Sequence, residues 1–492
     1  MKEVIVIGSG FAGLSAACFL AKEGYHVRVL EKNDSPGGRC RVWEQDGFRF
    51  DMGPSWYWMP DVFDHFFASF GKKTSDYYEL MRLDPSYRVF FPEEIWDIPS
   101  GTDAFGDLLE IREKGAKKQL DLFLEEAKYK YEVGMGSLVF KPGRSVLEFA
   151  NWRVIRSVFR LDLFKSISVH LRRFFRDKKI LNLLEFPVLF LGAKPQQTPA
   201  LYSLMNYADI ALGTWYPKKG MYEIVSGMYK LAMELGVEFD FNAEVTGLSI
   251  RNNQVTRVET NKGFYVADIV VGGADYQHIE SKLLPEAFRN YSETYWETRT
   301  MAPSSLLFYL GVNKKISGLL HHNLFFDTDF DAHAEAIYDT PKWPDKPLFY
   351  ASCPSLTDPT LAPEGMENLF ILIPLAPGLK DDEVTREKCY HLVMERLEKR
   401  VGADIRTSVV VKRSYAMMDF VTDYHSYKGN AYGLANTLRQ TAILKPSIKN
   451  KKLNNLYYTG QLTVPGPGVP PSLISGEVVS REISREHPIS KP

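Results

Sequence analysis

Apolar residues crowd both ends of this chain in short unbroken runs. Val4, Ile5, Val6 and Ile7 are four consecutive β-branched residues, the pattern of a strand buried on both faces. Residues 14–21 are mostly apolar and small, which predicts a buried helix ended by Gly24, and Val27-Arg28-Val29-Leu30 predicts a second strand. Near the other end, 456–460 reads as a last core strand. Residues 472–482 read as a helix begun by Pro470-Pro471, since a first helical turn tolerates proline's missing N–H. Between the ends, 223–235 reads as a helix, 236–241 as a strand continued by 243–248, and 254–260 with 263–267 as a hairpin feeding a buried strand at 268–271. Residues 304–310 and 369–373 suit strands of a second sheet that would wall a cavity. No repeat or low-complexity linker separates these pieces, so the organisation is interleaved rather than modular.

The polar and glycine positions between the first elements supply the first chemistry. Directly after the opening strand comes Gly8-Ser9-Gly10-Phe11-Ala12-Gly13. Gly8 permits the tight bend, Gly10 lets the backbone approach a pyrophosphate, and Gly13 lets the helix pack on the strand. The helix N-terminus offers unpaired N–H groups and partial positive charge to phosphates. The second strand delivers Glu31 eighteen residues after Gly13, about where a carboxylate accepts from ribose hydroxyls and would repel a 2′-phosphate. Strand, turn, helix, strand and acid in that order predict dinucleotide binding. Pro36-Gly37-Gly38-Arg39 adds a second phosphate-side contact, which suits an extended FAD better than NAD. The last forty residues hold Gly460-Gln461 and the run Pro465-Gly466-Pro467-Gly468-Val469-Pro470-Pro471, a rigid approach that would point a helix N-terminus at the flavin.

Length and composition narrow the class. A chain of 492 residues, 45% hydrophobic, can bury a large core in two or three units. A net charge of −1 predicts no general affinity for nucleic acid. Cys18, Cys40, Cys353 and Cys389 form no Cys-x-x-Cys, so buried inert thiols are expected and neither a disulfide framework nor a metal site is indicated. Because no cysteine lies beyond Cys389, FAD is expected to be non-covalent. Met1-Lys2-Glu3 runs straight into the first strand, so no secretory signal is expected. The chain is read as cytoplasmic, without a membrane-spanning segment.

One stretch stands apart in charge. Between 153 and 179 lie Arg153, Arg156, Arg160, Lys165, Arg172, Arg173, Arg176, Lys178 and Lys179 against only Asp162 and Asp177. Aromatic and aliphatic residues from Trp152 to Phe175 interleave with them at helical spacing, and 180–191 follows as an apolar run broken by Pro187. This predicts a helical region that docks peripherally on the cytoplasmic face of a lipid membrane, each cation contributing about 1 kcal/mol near anionic lipid.

These motifs resemble those of the bacterial-type carotenoid desaturases, phytoene desaturases most closely, within the amine-oxidase-like FAD superfamily. The likeness rests on the Gly8 to Gly13 turn, Glu31, Pro36 to Arg39, Phe50-Asp51-Met52-Gly53-Pro54, Trp215-Tyr216-Pro217 to Gly220, Leu361-Ala362-Pro363-Glu364-Gly365 and the closing Pro/Gly tail. Two positions depart from it: Gln461 stands where the family often has Ala, and Val464 where it often has His. The resemblance implies an α/β fold in which a Rossmann-like FAD-binding domain (1–70, 215–290 and 425–492) interleaves with a mixed-sheet substrate domain (291–424) and a helical substrate-entry and membrane-docking region (71–214). It places FAD contacts at Gly8, Gly10, Phe11, Ala12, Gly13, Glu31, Lys32, Gly38, Arg39, Gly53, Pro54, Val245, Gly460, Gln461, Gly468, Val469 and Pro470. It implies a long apolar polyene substrate, with quinone or oxygen as electron acceptor.

The implied reaction is dehydrogenation of a C40 carotenoid precursor, phytoene towards lycopene, by hydride transfer to flavin N5 and proton loss. The polyene itself delocalises the positive charge, so no tuned acid–base pair is obligatory, and none is legible. His321-His322 is the only adjacent histidine pair and reads as a surface loop. Arg144, Glu148 and Arg153 fall near the implied substrate region, yet no catalytic residue is assigned. The alternatives are a 3,4-desaturase of hydroxylated carotenoids, a carotenoid isomerase, an amine oxidase, or a flavin-free prenyl-lipid carrier resembling the GDP-dissociation inhibitors.

Overall fold

A computed structural model describes the chain except residues 146, 147, 149–161, 163, 164, 190, 191, 438 and 490–492. Its centre is a five-stranded parallel sheet in the order Leu456–Tyr458, Ile269–Gly272, Glu3–Ile7, His26–Leu30, Glu238–Asp240. Val6 lies between Val271 and Val29, and Val4, Val6, Val29, Val270 and Val271 are fully shielded from water. Burial on both faces is what the unbroken β-branched runs require.

The opening helix Phe11–Lys22 leaves the first strand through Gly8, whose φ of +93° only glycine adopts without strain. The closing helix Val469–Glu486 lies against it, close enough that a Cβ on Gly476 would stand 2.5 Å from the Ala12 carbonyl oxygen. Ser15 Oγ donates to the Leu473 carbonyl at 2.7 Å across the same contact. The two ends of the chain therefore share one layer over the sheet.

A seven-stranded mixed sheet runs Val409–Tyr415, Ser304–Val312, Glu367–Leu375, Phe349–Ser352, His322–Phe325, Tyr87–Phe90, Ile95–Ile98. Its faces divide by alternation: Leu306, Phe308 and Leu310 pack in one core cluster and Leu307 and Tyr309 in another. The last two strands in that order come from the region read as largely helical. Val89 and Phe90 pair with Leu324 and Phe325, and the Phe90 and Phe325 rings stack at 4.5 Å. That register is a long-range match invisible to local periodicity.

Two further readings are corrected. Residues 243–248 do not continue the strand Glu238–Asp240: the chain turns at Asn242, at φ +53°, and Val245–Arg251 joins Gln254–Thr260 and Gly263–Val266 in an antiparallel sheet. Pro187 does not break its helix, which spans Lys178–Leu189 with the proline inside its last turn.

Of the basic stretch, Arg153, Arg156 and Arg160, with most of the interleaved apolar residues, lie outside the described residues. Among those described, Lys165 pairs with Asp162, Arg172 with Glu185 and Lys179 with Glu94, while Ile167, Leu171 and Phe175 are buried in the protein. No helix among the described residues is long and apolar enough to cross a membrane.

Ion pairs tie down the closing helix. Arg144 reaches Glu482 and Glu486, while Lys449 and the Tyr457 hydroxyl donate to Glu486. Burial raises the Glu486 carboxyl, but Lys449, Tyr457 and Arg144 outweigh it and hold the group down at about 2. A depressed carboxyl stabilises the fold above its unfolded value near 4.5 and loses that contribution as pH falls towards 2. Glu486→Gln is therefore expected to lower the melting temperature at neutral pH and to flatten its decline below pH about 4.5, read by thermal unfolding across pH.

Candidate active site

Ligands of open parallel sheets bind beyond the carboxyl ends of the strands. Here four strand ends supply the wall of one cavity of about 460 Å³: Gly8 after Ile7, Glu31 after Leu30, Gly273 to Asp275 after Gly272, and Thr459 to Leu462 after Tyr458. Every predicted cofactor position except Gly13 lines this cavity, from Gly8 and Glu31 through Arg39, Gly53 and Pro54 to Gln461 and Pro470. Gly13 lies beneath it. A Cβ there would stand 2.0 Å from the Gly8 carbonyl oxygen, so its role is helix-to-turn packing.

The polar arm is built around two buried charges. Glu31 Oε2 accepts from the Ser9 N–H (2.8 Å) and hydroxyl (2.6 Å), and Oε1 from the Asn33 N–H (2.9 Å) and amide (3.0 Å). These four bonds take up the carboxylate's lone-pair sites and fix its negative charge at the cavity wall. Gly10 and Gly38 face each other, a Cβ on Gly38 falling 3.1 Å from Gly10 Cα, and no side chain caps the helix that begins at Phe11.

The guanidinium of Arg39 is buried, with Nη2 donating to Ser426 Oγ at 3.0 Å and the Tyr424 ring 5.2 Å away. With the Gln461 amide oriented to satisfy its neighbours, its oxygen accepts from Arg39 at 3.0 and 3.3 Å while its nitrogen donates to the Tyr432 carbonyl. This contact joins the two terminal motifs directly. Arg39 Nε is buried with no hydrogen-bond partner. Burial pulls the guanidinium pKa down, and Asp275 opposes it most.

The closing helix contributes differently from expectation. Its N-cap is Gly468, at φ +115°, and Pro470 and Pro471 carry no N–H. Val469 is thus the only one of the first three helical residues with a backbone donor. The Ser472 N–H is already committed to the Gly468 carbonyl at 3.0 Å. What this terminus offers is the helix dipole and a side-chain-free approach rather than a row of donors.

The other arm is apolar and aromatic, walled by Trp56, Trp58, Phe186, Leu307, Leu324, Phe326, Phe330, Leu348, Phe349, Tyr350 and Leu372. Ser305, Tyr338 and Tyr432 give it a few hydroxyls, and Ser305 Oγ is buried without a partner. His333 also lines the cavity, but both ring nitrogens are engaged: Nε2 donates to the Pro374 carbonyl (2.9 Å) and Nδ1 accepts from the Leu348 N–H (3.0 Å). Burial holds this imidazole down at about 4, so it is a neutral structural group.

His321 and His322 are not in a surface loop. Both rings are buried, and His322 opens the strand His322–Phe325 with its ring stacked on Trp56 at 4.0 Å. The aromatic partner, distant in sequence, makes an inward position tolerable for an imidazole. Arg144 and Glu148 belong to the anchoring of the closing helix and its neighbouring turn, with Glu148 accepting from the Gly143 and Arg144 N–H groups. Asp275, Asn33 and Ser426 escaped the sequence reading. Only Asp275 carried a signal there, as the acid two residues past a buried strand and its Gly272-Gly273 turn.

Glu126, Asp162 and His170 form the one group of ligand-type side chains among the described residues close enough to hold a metal. The Lys130 ammonium already sits there, 3.3 Å from Asp162 and 3.2 Å from His170 Nε2. A cation is thus supplied by the chain itself.

The family model of flavin-containing amine oxidoreductases matches residues 11–484. The carotenoid 3,4-desaturase of Haloarcula japonica is 42% identical over 479 residues, 97% of each chain. The zeta-carotene-forming phytoene desaturase of Myxococcus xanthus is 31% identical over 489 residues, covering 98% of this chain and 94% of that one. In fold, an oxidoreductase from Methanosarcina mazei superposes with a TM-score of 0.64 at 17% identity, over 97% of this chain and all of the other. The chain belongs to the flavin-containing amine oxidoreductases. Within them it groups with the carotenoid desaturases, and it is an FAD-dependent oxidoreductase.

The polar arm fits that cofactor. Arg39 has an unpartnered buried donor and a positive charge for an oxygen-rich group, Glu31 a fixed negative charge, and the facing Gly10 and Gly38 leave the room a side chain would fill.

Proposed function

We propose that this enzyme dehydrogenates a carotenoid, and that the bond it oxidises is the C3–C4 bond of an acyclic end-group. The observation that carries this reading is the single cavity whose polar arm passes into an aromatic chamber. The 42% identical relative supports the 3,4 position. So does the hydroxyl of Tyr338 on the cavity wall, which a purely hydrocarbon ligand would leave unpaired at about 1–3 kcal/mol. The phytoene reading is the second, and it has the 31% identical relative in its favour.

FAD, when bound, supplies the two-electron acceptor for the hydrogen removed. The residues of the chain do the rest. Glu31 and Arg39, beside the glycine turn, would hold its polar portion. Burial of several hundred Å² of polyene in the apolar arm contributes on the order of 10 kcal/mol before ordering costs. Trp56, Trp58 and Phe326 exclude water from the reacting carbons, and aromatic faces favour a delocalised cation. Such a substrate resides in lipid, so the enzyme is proposed to collect it at a membrane surface through the basic region.

The test is FAD-loaded protein mixed with liposomes carrying either phytoene or a hydroxylated acyclic carotenoid saturated at C3–C4. A longer chromophore from the second substrate alone is expected. Conversion of phytoene alone would replace this reading with the second.

A further inference from the structure

One cavity-lining residue, Tyr350, has a buried hydrogen-bond partner behind it, His322. Tyr350 lies on the strand Phe349–Ser352 and His322 on its antiparallel neighbour. His322 Nδ1 is 2.6 Å from the Tyr350 hydroxyl oxygen. Tyr350, Ser55 and Trp56 line the cavity, and Ser55-Trp56 directly follow Gly53-Pro54 in the chain. The His322 ring is fixed from one face by Trp56, with planes 11° apart, and from its edge by His321 at 4.4 Å. His322 Nε2 is buried with no partner, so the ring's only hydrogen bond is the one to Tyr350.

We propose that Tyr350 is a catalytic residue that receives the proton lost by the substrate, with His322 as the positioning residue that takes the phenol's own proton. This rests on the reading that the substrate is dehydrogenated in this cavity. In the step, the C–H bond next to the cationic carbon breaks and its electron pair becomes the second bond of the new alkene. The proton passes to Tyr350 Oη while the Tyr350 proton moves along the hydrogen bond to His322 Nδ1. The other hydrogen of the pair, with its two electrons, is accounted for by FAD. Once product leaves and water enters, the proton returns by the same path.

Burial, reinforced by His321, keeps the His322 imidazole neutral, and in the tautomer protonated at Nε2 its Nδ1 lone pair accepts from the phenol. Burial likewise raises the Tyr350 phenol, opposed by the hydroxyls of Ser352 and Ser55, so it stays protonated and can donate. A weak base suffices, because a polyenyl cation is a far stronger acid than an imidazolium. The stacked Trp56 face stabilises the imidazolium that forms.

Turnover is measured for Tyr350→Phe, His322→Gln and His322→Leu, each loaded with FAD and given the liposomal carotenoid that the parent enzyme converts. For Tyr350→Phe, kcat is expected to fall about 100-fold, the lower range of a general base, with KM and FAD content within about threefold. His322→Gln keeps an acceptor for the phenol and is expected to retain more kcat than His322→Leu. The parent enzyme should show a solvent deuterium isotope effect on kcat that Tyr350→Phe lacks. If Tyr350→Phe turns over within about twofold of the parent, or if the two His322 variants are equal in kcat, the pair is structural and the proposal is wrong. A parent enzyme inactive on every carotenoid tried would instead fault the proposed function, so the two failures are distinguishable.

Discussion

Gly13→Ala is expected to yield a protein that neither retains flavin nor withstands mild heating. The new Cβ would meet the Gly8 carbonyl oxygen at 2.0 Å, the Gly8 carbonyl carbon at 3.2 Å and Val6 Cγ1 at 3.5 Å. The first two are backbone atoms of the turn itself, so no rotamer change relieves the overlap. The helix Phe11–Lys22 would have to lift off the sheet by about 1 Å, and overpacking without a soft neighbour costs about 3 kcal/mol or more. Lifting it also displaces Gly10 from Gly38 and breaks the contact with Gly476 of the closing helix, so the polar arm opens from both walls. Gly24→Ala is the control. Its φ is +98°, but a Cβ there meets nothing within 4 Å, so it bears only the left-handed strain of about 1–2 kcal/mol. Flavin absorbance per protein and the melting temperature should collapse together in the first variant and fall only in temperature in the second. Equal flavin content in both would show that close helix packing is not what shapes the site.

The contrast between these glycines shows which parts of the site were legible in the sequence. Gly8 to Gly13 and Glu31 were legible because a strand, a turn and a helix are local, and their spacing is dictated by backbone geometry. The closing Pro/Gly run was legible for the same reason, as were the helix at 223–235 and the hairpin at 254–267, observed as Tyr222–Glu234 and Gln254–Thr260 with Gly263–Val266. What escaped depends on contacts across hundreds of positions. His322 is buried because Trp56, 266 residues earlier, stacks on it. Tyr87–Phe90 became a strand because Phe325 and its neighbours offer an edge. Nothing in the stretch 71–98 announces that partner. The basic region shows a third limit: Lys165, Arg172 and Lys179 counted as free cations in the sequence, yet each has a carboxylate in the fold.

Arg39→Leu should separate what this residue does for the fold from what it does for the cofactor. Burial raises the Asp275 carboxyl, and Arg39 is the largest influence holding it down, ahead of the N–H groups of His278 and Tyr427. Removing the guanidinium leaves a buried carboxylate without its compensating charge. This costs about 3 kcal/mol, at the low end for a buried pair because no direct contact joins the two groups. The Gln461 amide and the Ser426 hydroxyl lose their donor at the same time. Adding Asp275→Asn removes the stranded charge, so the double variant is expected to regain most of the melting temperature. It should not regain flavin. The Arg39 guanidinium at the cavity wall is still missing, and one charge-assisted hydrogen bond of about 2.7 kcal/mol corresponds to a Kd for FAD about 100-fold weaker. Titrating apoprotein with FAD by fluorescence, alongside thermal unfolding of the single and double variants, reads both quantities. Recovery of stability and affinity together in the double variant would mean that Arg39 acts on the cofactor only through the fold. Recovery of stability alone assigns the guanidinium to the cofactor directly, linking the two terminal motifs through a ligand as well as through Gln461.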